Sequence, residues 1–197
     1  MDTSPVADWA APRLVRLSPA RRAHSLGVAR LAAEWAPRWG VAPDDAYGAG
    51  LVHDLAREWD SAALIREAER LGWPVDEAER ETPVLLHGPV VAAWMRADGV
   101  GSAAMRAAVR YHTTAAPSLD ALGQLVFIAD ALEPGREYPG VATLRSVAGS
   151  DGAEGYRAVL ASTRRYLAAR GLRVHPRTEA AWTLVAGDDR SAEEAPS

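Results

Sequence analysis

The chain has 197 residues and a formal net charge of −4, with 48% hydrophobic and 24% charged residues, a balance that suits one globular domain with a real core. It contains no Cys, and all 22 of its Lys-plus-Arg residues are Arg. These absences exclude a disulfide framework, a thiolate metal site, a thiol nucleophile, Schiff-base chemistry and a Walker A loop. His, carboxylates and Arg are left to carry any catalysis.

The predicted elements run in order as follows. Residues 20–36 read as a helix ended by Pro37 and Gly40. Pro43-Asp44-Asp45 opens a second helix through GAGLVHDLA, in which Gly48 and Gly50 suggest close packing against another helix. Asp60 caps SAALIREAERL, which Gly72 closes. Residues 74–86 read as acidic and irregular, and His87 begins a helix closed by Gly99. Ser102 caps the next helix, and Ser118 is expected to cap LDALGQLVFIADALE, which Pro134-Gly135 breaks. After a loop over 136–142, Asp151 starts a long helix ending at Gly171, and Pro176 starts the last one. The expected fold class is all-α, a bundle of about seven to nine helices. Residues 1–187 would form a single domain, with a flexible start over 1–13 and a disordered polar tail over 188–197.

No run of 18 apolar residues is present, so no transmembrane helix is expected. The first residues lack the basic start and apolar run of a signal peptide, which predicts a cytoplasmic protein. Mild acidity argues against nucleic-acid polymers, and nothing points to a membrane. An anionic ligand would have to be met by a few local cations.

Four of the five His, namely His24, His53, His87 and His112, fall on or at the ends of four different predicted helices. Inward side chains from facing helices can converge on a metal in a bundle core. The His53-Asp54 dipeptide is uninformative alone. Asp130 is more telling, because an acid inside LVFIADAL is costly to bury without a metal, an Arg or a cap as partner. Thr113-Thr114 reads first as a turn, with Thr113 as a candidate substrate contact. His175, before Pro176, reads as a surface or rim residue.

The order His, His-Asp, His, His, Asp on successive helices resembles the HD-domain metal-dependent phosphohydrolases. The stretches RRAHSLGVARLA (21–32), AYGAGLVHDLAR (46–57), LLHGPVVAAWM (85–95), AVRYHTTA (108–115), LVFIADALEPGREYPGV (125–141) and the terminal AAWTLV look more closely like the bacterial HD-type symmetrical bis(5′-nucleosyl)-tetraphosphatase family. The RYHTT and ADALEPGR-x-YPGV motifs carry most of that specificity. The resemblance implies metal ligands at His24, His53, Asp54, His87, His112 and Asp130. One metal would take His24, His53, Asp54 and Asp130, and a second His87 and His112, with Asp54 bridging and central to catalysis. It implies iron, mononuclear or dinuclear, while an N/O donor set also admits manganese or another divalent ion.

The implied reaction is symmetrical cleavage of diadenosine tetraphosphate, or a related dinucleoside polyphosphate, to two ADP by metal-activated water. Candidate phosphate-binding residues are Arg57, Arg110 and Arg136, beside the ligand motifs, with Arg22 a weaker fourth. Arg57 stands where the family often has Lys, and Gly135 where it often has Asn. The segment AAPSL after RYHTT lacks the polar residues common there. Two other readings stay open: an HD nucleotidase or phosphodiesterase acting on a mononucleotide or signalling nucleotide, and a non-catalytic nucleotide-sensing module. A homodimer is compatible with the sequence but encoded by no feature of it.

Overall fold

The computed structural model describes residues 5–193, with side chains through residue 187. Eleven α-helices and two 3₁₀ turns form among the described residues, with no strand. They are α1 (Pro5–Leu14), α2 (Pro19–Trp35), α3 (Pro43–Val52), α4 (Ser61–Arg70), α5 (Glu77–Glu81), α6 (His87–Ala97), α7 (Ala103–Tyr111), α8 (Ala121–Leu132), α9 (Val141–Ser150), α10 (Gly152–Ala169) and α11 (Pro176–Glu193). The 3₁₀ turns cover Ala36–Trp39 and Pro83–Leu86.

Local chemistry sets many of the boundaries. Ser18, Asp60, Ser102 and Asp151 each accept the backbone N–H three residues on, so α2, α4, α7 and α10 start where a side chain satisfies an orphan donor. The cap of α8 is Asp120, not Ser118, because the Asp120 carboxylate accepts Gly123 N–H at 2.9 Å. The all-α class stands, with three helices beyond those expected. The expected flexible start is helix from Pro5, because Val6 and Ala10 are buried against the core; residues 1–4 lie outside the described residues. The stretch 74–86 is not irregular: Asp76 and Glu79 form a reciprocal capping box that starts α5. The loop expected over 136–142 gives way to α9 at Val141, whose buried positions are Val141 and Ala148. The tail is helical through Glu193, and residues 194–197 lie outside the described residues.

The centre of the bundle is α8. Leu125, Val126, Phe127, Ile128 and Leu132 are buried there, each apolar side chain of that size contributing about 1.5–3 kcal/mol by leaving water. Helices α2, α3, α7 and α10 surround it, α2 packs along α3, and α6 along α7. Two glycines permit these pairings. A Cβ on Gly50 would lie 2.8 Å from Ala29 Cα, and one on Gly88 would lie 2.7 Å from the Val109 carbonyl oxygen. The glycines therefore let α3 approach α2 and α6 approach α7 at backbone contact, beside His53 and His87.

A candidate metal centre of histidines and aspartates

Six side chains distant in sequence meet in the middle of the bundle. His24 comes from α2, His53 and Asp54 from the turn after α3, His87 from the first position of α6, His112 from the C-cap of α7 and Asp130 from α8. The expected helix through GAGLVHDLA ends at Val52, and the chain continues in i→i+3 turns. Successive residues of an α-helix diverge by about 100°, so the turn helps two adjacent residues, His53 and Asp54, face one point.

Asp54 divides the cluster. Its Oδ1 lies 3.0 Å from His87 Nε2 and 3.6 Å from His112 Nε2. Its Oδ2 lies 3.5 Å from His53 Nε2 and 3.7 Å from His24 Nε2. Asp130 Oδ1 completes that second half, 3.0 Å from His24 Nε2 and 3.8 Å from His53 Nε2. His87 and His112 meet Nε2 to Nε2 at 2.8 Å.

Each ring is oriented through its other nitrogen. His53 Nδ1 lies 2.7 Å from the Gly50 carbonyl, His112 Nδ1 lies 2.7 Å from that of Val109, and His87 Nδ1 contacts that of Val84. His24 Nδ1 lies 3.1 Å from Glu133 Oε1. Carbonyls and carboxylates only accept, so each Nδ1 carries a proton and, in the neutral ring, each Nε2 lone pair faces inward. His53 Nε2 is buried with no hydrogen-bond partner. Lone pairs and carboxylates aimed at common points suit a cation between them. The residues thus fit a metal, with N and O donors and no thiolate. The ligand atoms of His24, His53 and Asp130 lie within 4.8 Å of one another, as do those of His53, Asp54 and His112.

The charges respond accordingly. Burial alone pushes His53 down, but the charges of Asp54 and Asp130 and the bond to the Gly50 carbonyl outweigh it and raise its pKa to about 9. Burial pushes Asp54 up, while the His53 charge and the close approach of His112 and His87 hold it far below the usual carboxylate range. Asp130 behaves likewise: burial opposes ionisation, and the His24 hydrogen bond with the His53 and His112 charges reverses it.

The cluster opens on the His24 side. A cavity of about 530 Å³ is lined by Ser18, Arg21, His24, Glu58, Glu133 and Arg136 among others. Arg21 donates to Asp54 Oδ2 at 2.7 Å. Arg136 donates to Asp130 Oδ1 at 2.6 Å and to the Asp130 carbonyl at 2.9 Å. Asp130, expected to be buried, keeps 22% of its side-chain surface open toward this mouth, whereas His87 and His112 at the deep end are each 2% exposed. Arg145 of α9 donates to the carbonyls of Leu132, Glu133 and Arg136, which holds the EPGR turn in place.

The other expected residues divide. Thr113 is close, its Oγ1 3.1 Å from His112 Nε2. Arg57 does not line the cavity and makes no side-chain hydrogen bond or ion pair among the described residues. Arg110 does not line the cavity; its guanidinium lies over Trp73 at 5.0 Å and Tyr111 at 5.9 Å. Arg22 does not line the cavity, whereas Arg21, which the sequence reading did not select, does. Arg21 lies three residues before His24, one turn away on the same helix face. Glu133 was equally unselected, although it lies three residues after Asp130 beside the helix-breaking Pro134. His175 is buried, not at the surface, because Asp76 and Arg177 close over it at 3.3 and 3.2 Å.

Fold and cluster together define the class: the chain belongs to the HD-domain family, whose profile matches residues 21–135, and it is by family a hydrolase. Within that family it groups with bacterial proteins named symmetrical bis(5′-nucleosyl)-tetraphosphatase. It is 30% identical to that of Halalkalibacterium halodurans over 86% of this chain and 90% of the relative. The corresponding figures are 31%, 69% and 73% for Bacillus subtilis, and 32%, 70% and 71% for Staphylococcus aureus. A solved structure from Clostridium acetobutylicum, described as a predicted HD superfamily hydrolase involved in NAD metabolism, matches with a TM-score of 0.85 at 27% identity. That match covers 93% of this chain and 96% of the other.

Proposed function

We propose that this chain hydrolyses dinucleoside polyphosphates symmetrically, diadenosine tetraphosphate giving two ADP, with iron as the metal and manganese or another divalent ion as a substitute. The observation that carries the reading is the split of Asp54 between two histidine pairs beneath a cavity lined by Arg21 and Arg136. The likeness to three symmetrical tetraphosphatases supports the choice of substrate. His24, His53, Asp54 and Asp130 would hold one metal, and His87 and His112 a second, with Asp54 shared. When bound, such metals lower the pKa of a coordinated water and offset charge on phosphoryl oxygens.

The chain's own groups supply positioning. Glu133 holds the His24 ring through Nδ1, and backbone carbonyls hold the other three. Arg21 and Arg136 stand at the mouth, where charge develops on the central phosphates. Arg57, one turn past Asp54 and unpaired, is assigned to the outer phosphates, and Thr113 to a phosphate oxygen near His112. A water oxygen bonds to one central phosphorus and gives up its protons to solvent, the bond from that phosphorus to the central bridging oxygen breaks, and its electron pair leaves with the second ADP. A nucleoside diphosphate leaves readily, so a strong general acid is not essential to the reaction. Chromatography of the products from diadenosine tetraphosphate and metal-loaded protein tests this: two ADP per substrate are expected. AMP plus ATP, or an intact substrate beside phosphate released from a mononucleotide, would overturn it.

A further inference from the structure

The cavity at the cluster holds two Arg and no Trp, Tyr or Phe in its lining, which suits phosphates and offers the nucleosides no broad ring to stack on. A second cavity of about 500 Å³ shares Glu58 with it. Glu58 is held there by Ser18, which donates from its backbone N and its Oγ to the carboxylate, at 2.8 and 2.5 Å. The second cavity differs in chemistry, being walled by Trp59, Trp94, Leu17, Leu55 and Arg16 among others.

Trp59 is the feature that packing does not explain. It is 41% exposed, although a flat apolar ring of that size gains most by burial. Trp94 braces it at 5.1 Å between ring centroids, and Trp94 is itself held by a 2.7 Å bond from Nε1 to Glu67. Of the cations there, Arg13 is paired with Asp98 and Arg70 with Glu67. Arg16 is exposed and makes no side-chain hydrogen bond or ion pair among the described residues. A braced aromatic face beside an unpaired Arg is the pattern that stacks a base and meets its phosphate. Symmetrical cleavage also demands such a place. With the central anhydride at the cluster, each base stands two phosphates and a ribose away, outside the first cavity.

We infer that the second cavity is a nucleoside subsite, with the Trp59 ring stacking on the base and Arg16 at the ribose-phosphate edge. The inference rests on the dinucleoside polyphosphate reading, and its test separates the two. Calorimetric titration of metal-loaded protein with ADP and with inorganic pyrophosphate compares a ligand that carries a base with one that does not. Wild-type protein is expected to bind ADP more tightly than pyrophosphate. Trp59→Leu should weaken ADP about tenfold, the scale of a base–aromatic stack, and leave pyrophosphate within about twofold. ADP should also quench tryptophan emission in the wild type and lose most of that quench in Trp59→Phe, a milder change that serves if Trp59→Leu does not fold. Equal losses for both ligands, or an unchanged ADP affinity and quench, overturn the subsite while pyrophosphate binding leaves the phosphate reading standing. Failure of the wild type to bind either ligand overturns both.

Discussion

Asp54 directs one carboxylate oxygen to His87 and His112 and the other to His24 and His53. Asp54→Ala should therefore empty both halves at once: elemental analysis should find less than about 0.2 metal equivalents, with hydrolysis down more than about 100-fold. Glu133 acts one step back, through His24. Glu133→Ala should weaken metal binding about 10–100-fold in a chelator competition, with Glu133→Gln recovering most of the loss because its oxygen still accepts from Nδ1–H. His53 predicts a pH dependence. Its folded pKa of about 9 exceeds the 6.5 of an ordinary histidine, so in chelator-treated protein its contribution to stability is fully present below pH 6.5 and is lost as pH rises through 9. A metal needs the neutral ring, so measured metal affinity should climb through that window, by about tenfold per pH unit. The histidines were legible in the sequence because few residue types could carry chemistry at all. Arg21 and Glu133 were not, since 22 Arg and 13 Glu look alike until helix faces are known.

Helix pairs bring those residues together, and their spacing rests on single hydrogen atoms. Gly50→Ala would place a methyl 2.8 Å from the Ala29 backbone, and backbone cannot swing away as a side chain can. It should cost about 1–3 kcal/mol in denaturant unfolding and reduce metal content, because α2 and α3 carry or adjoin three of the proposed ligands. Gly149→Ala in α9 is the contrast: its added methyl meets nothing within 4 Å, and it should be neutral or stabilising by up to about 1 kcal/mol. The tight approach at Gly50 was legible, since a glycine inside an apolar helix needs a packing reason. The short helices α5 and α9 were not. One depends on a reciprocal cap at Asp76 and Glu79, and the other begins after Gly140 with no side-chain cap and buries only Val141 and Ala148.

Across the whole molecule the cluster ties α2, the turn after α3, α6, α7 and α8 to one point. Metal that binds only the folded chain should stabilise it by about 2.7 kcal/mol at a hundredfold excess over Kd. For a chain of this length that is about 5–11 °C in Tm, which scanning calorimetry with and without chelator would measure. No helix among the described residues is long and apolar enough to cross a membrane.

The amino-acid sequence by itself determined the chemistry available: no thiolate, no lysine, and four His with two Asp in an order that matches one family. It also determined the all-α class, because apolar periodicity and caps are local properties that each segment carries alone. Only the tertiary structure decided which oxygen of Asp54 serves which histidines, which of the many arginines reach the mouth, that Arg110 lies over Trp73, and that His175 is buried beside Asp76. Those outcomes depend on where helix faces meet in space, a relation between segments that no local pattern records.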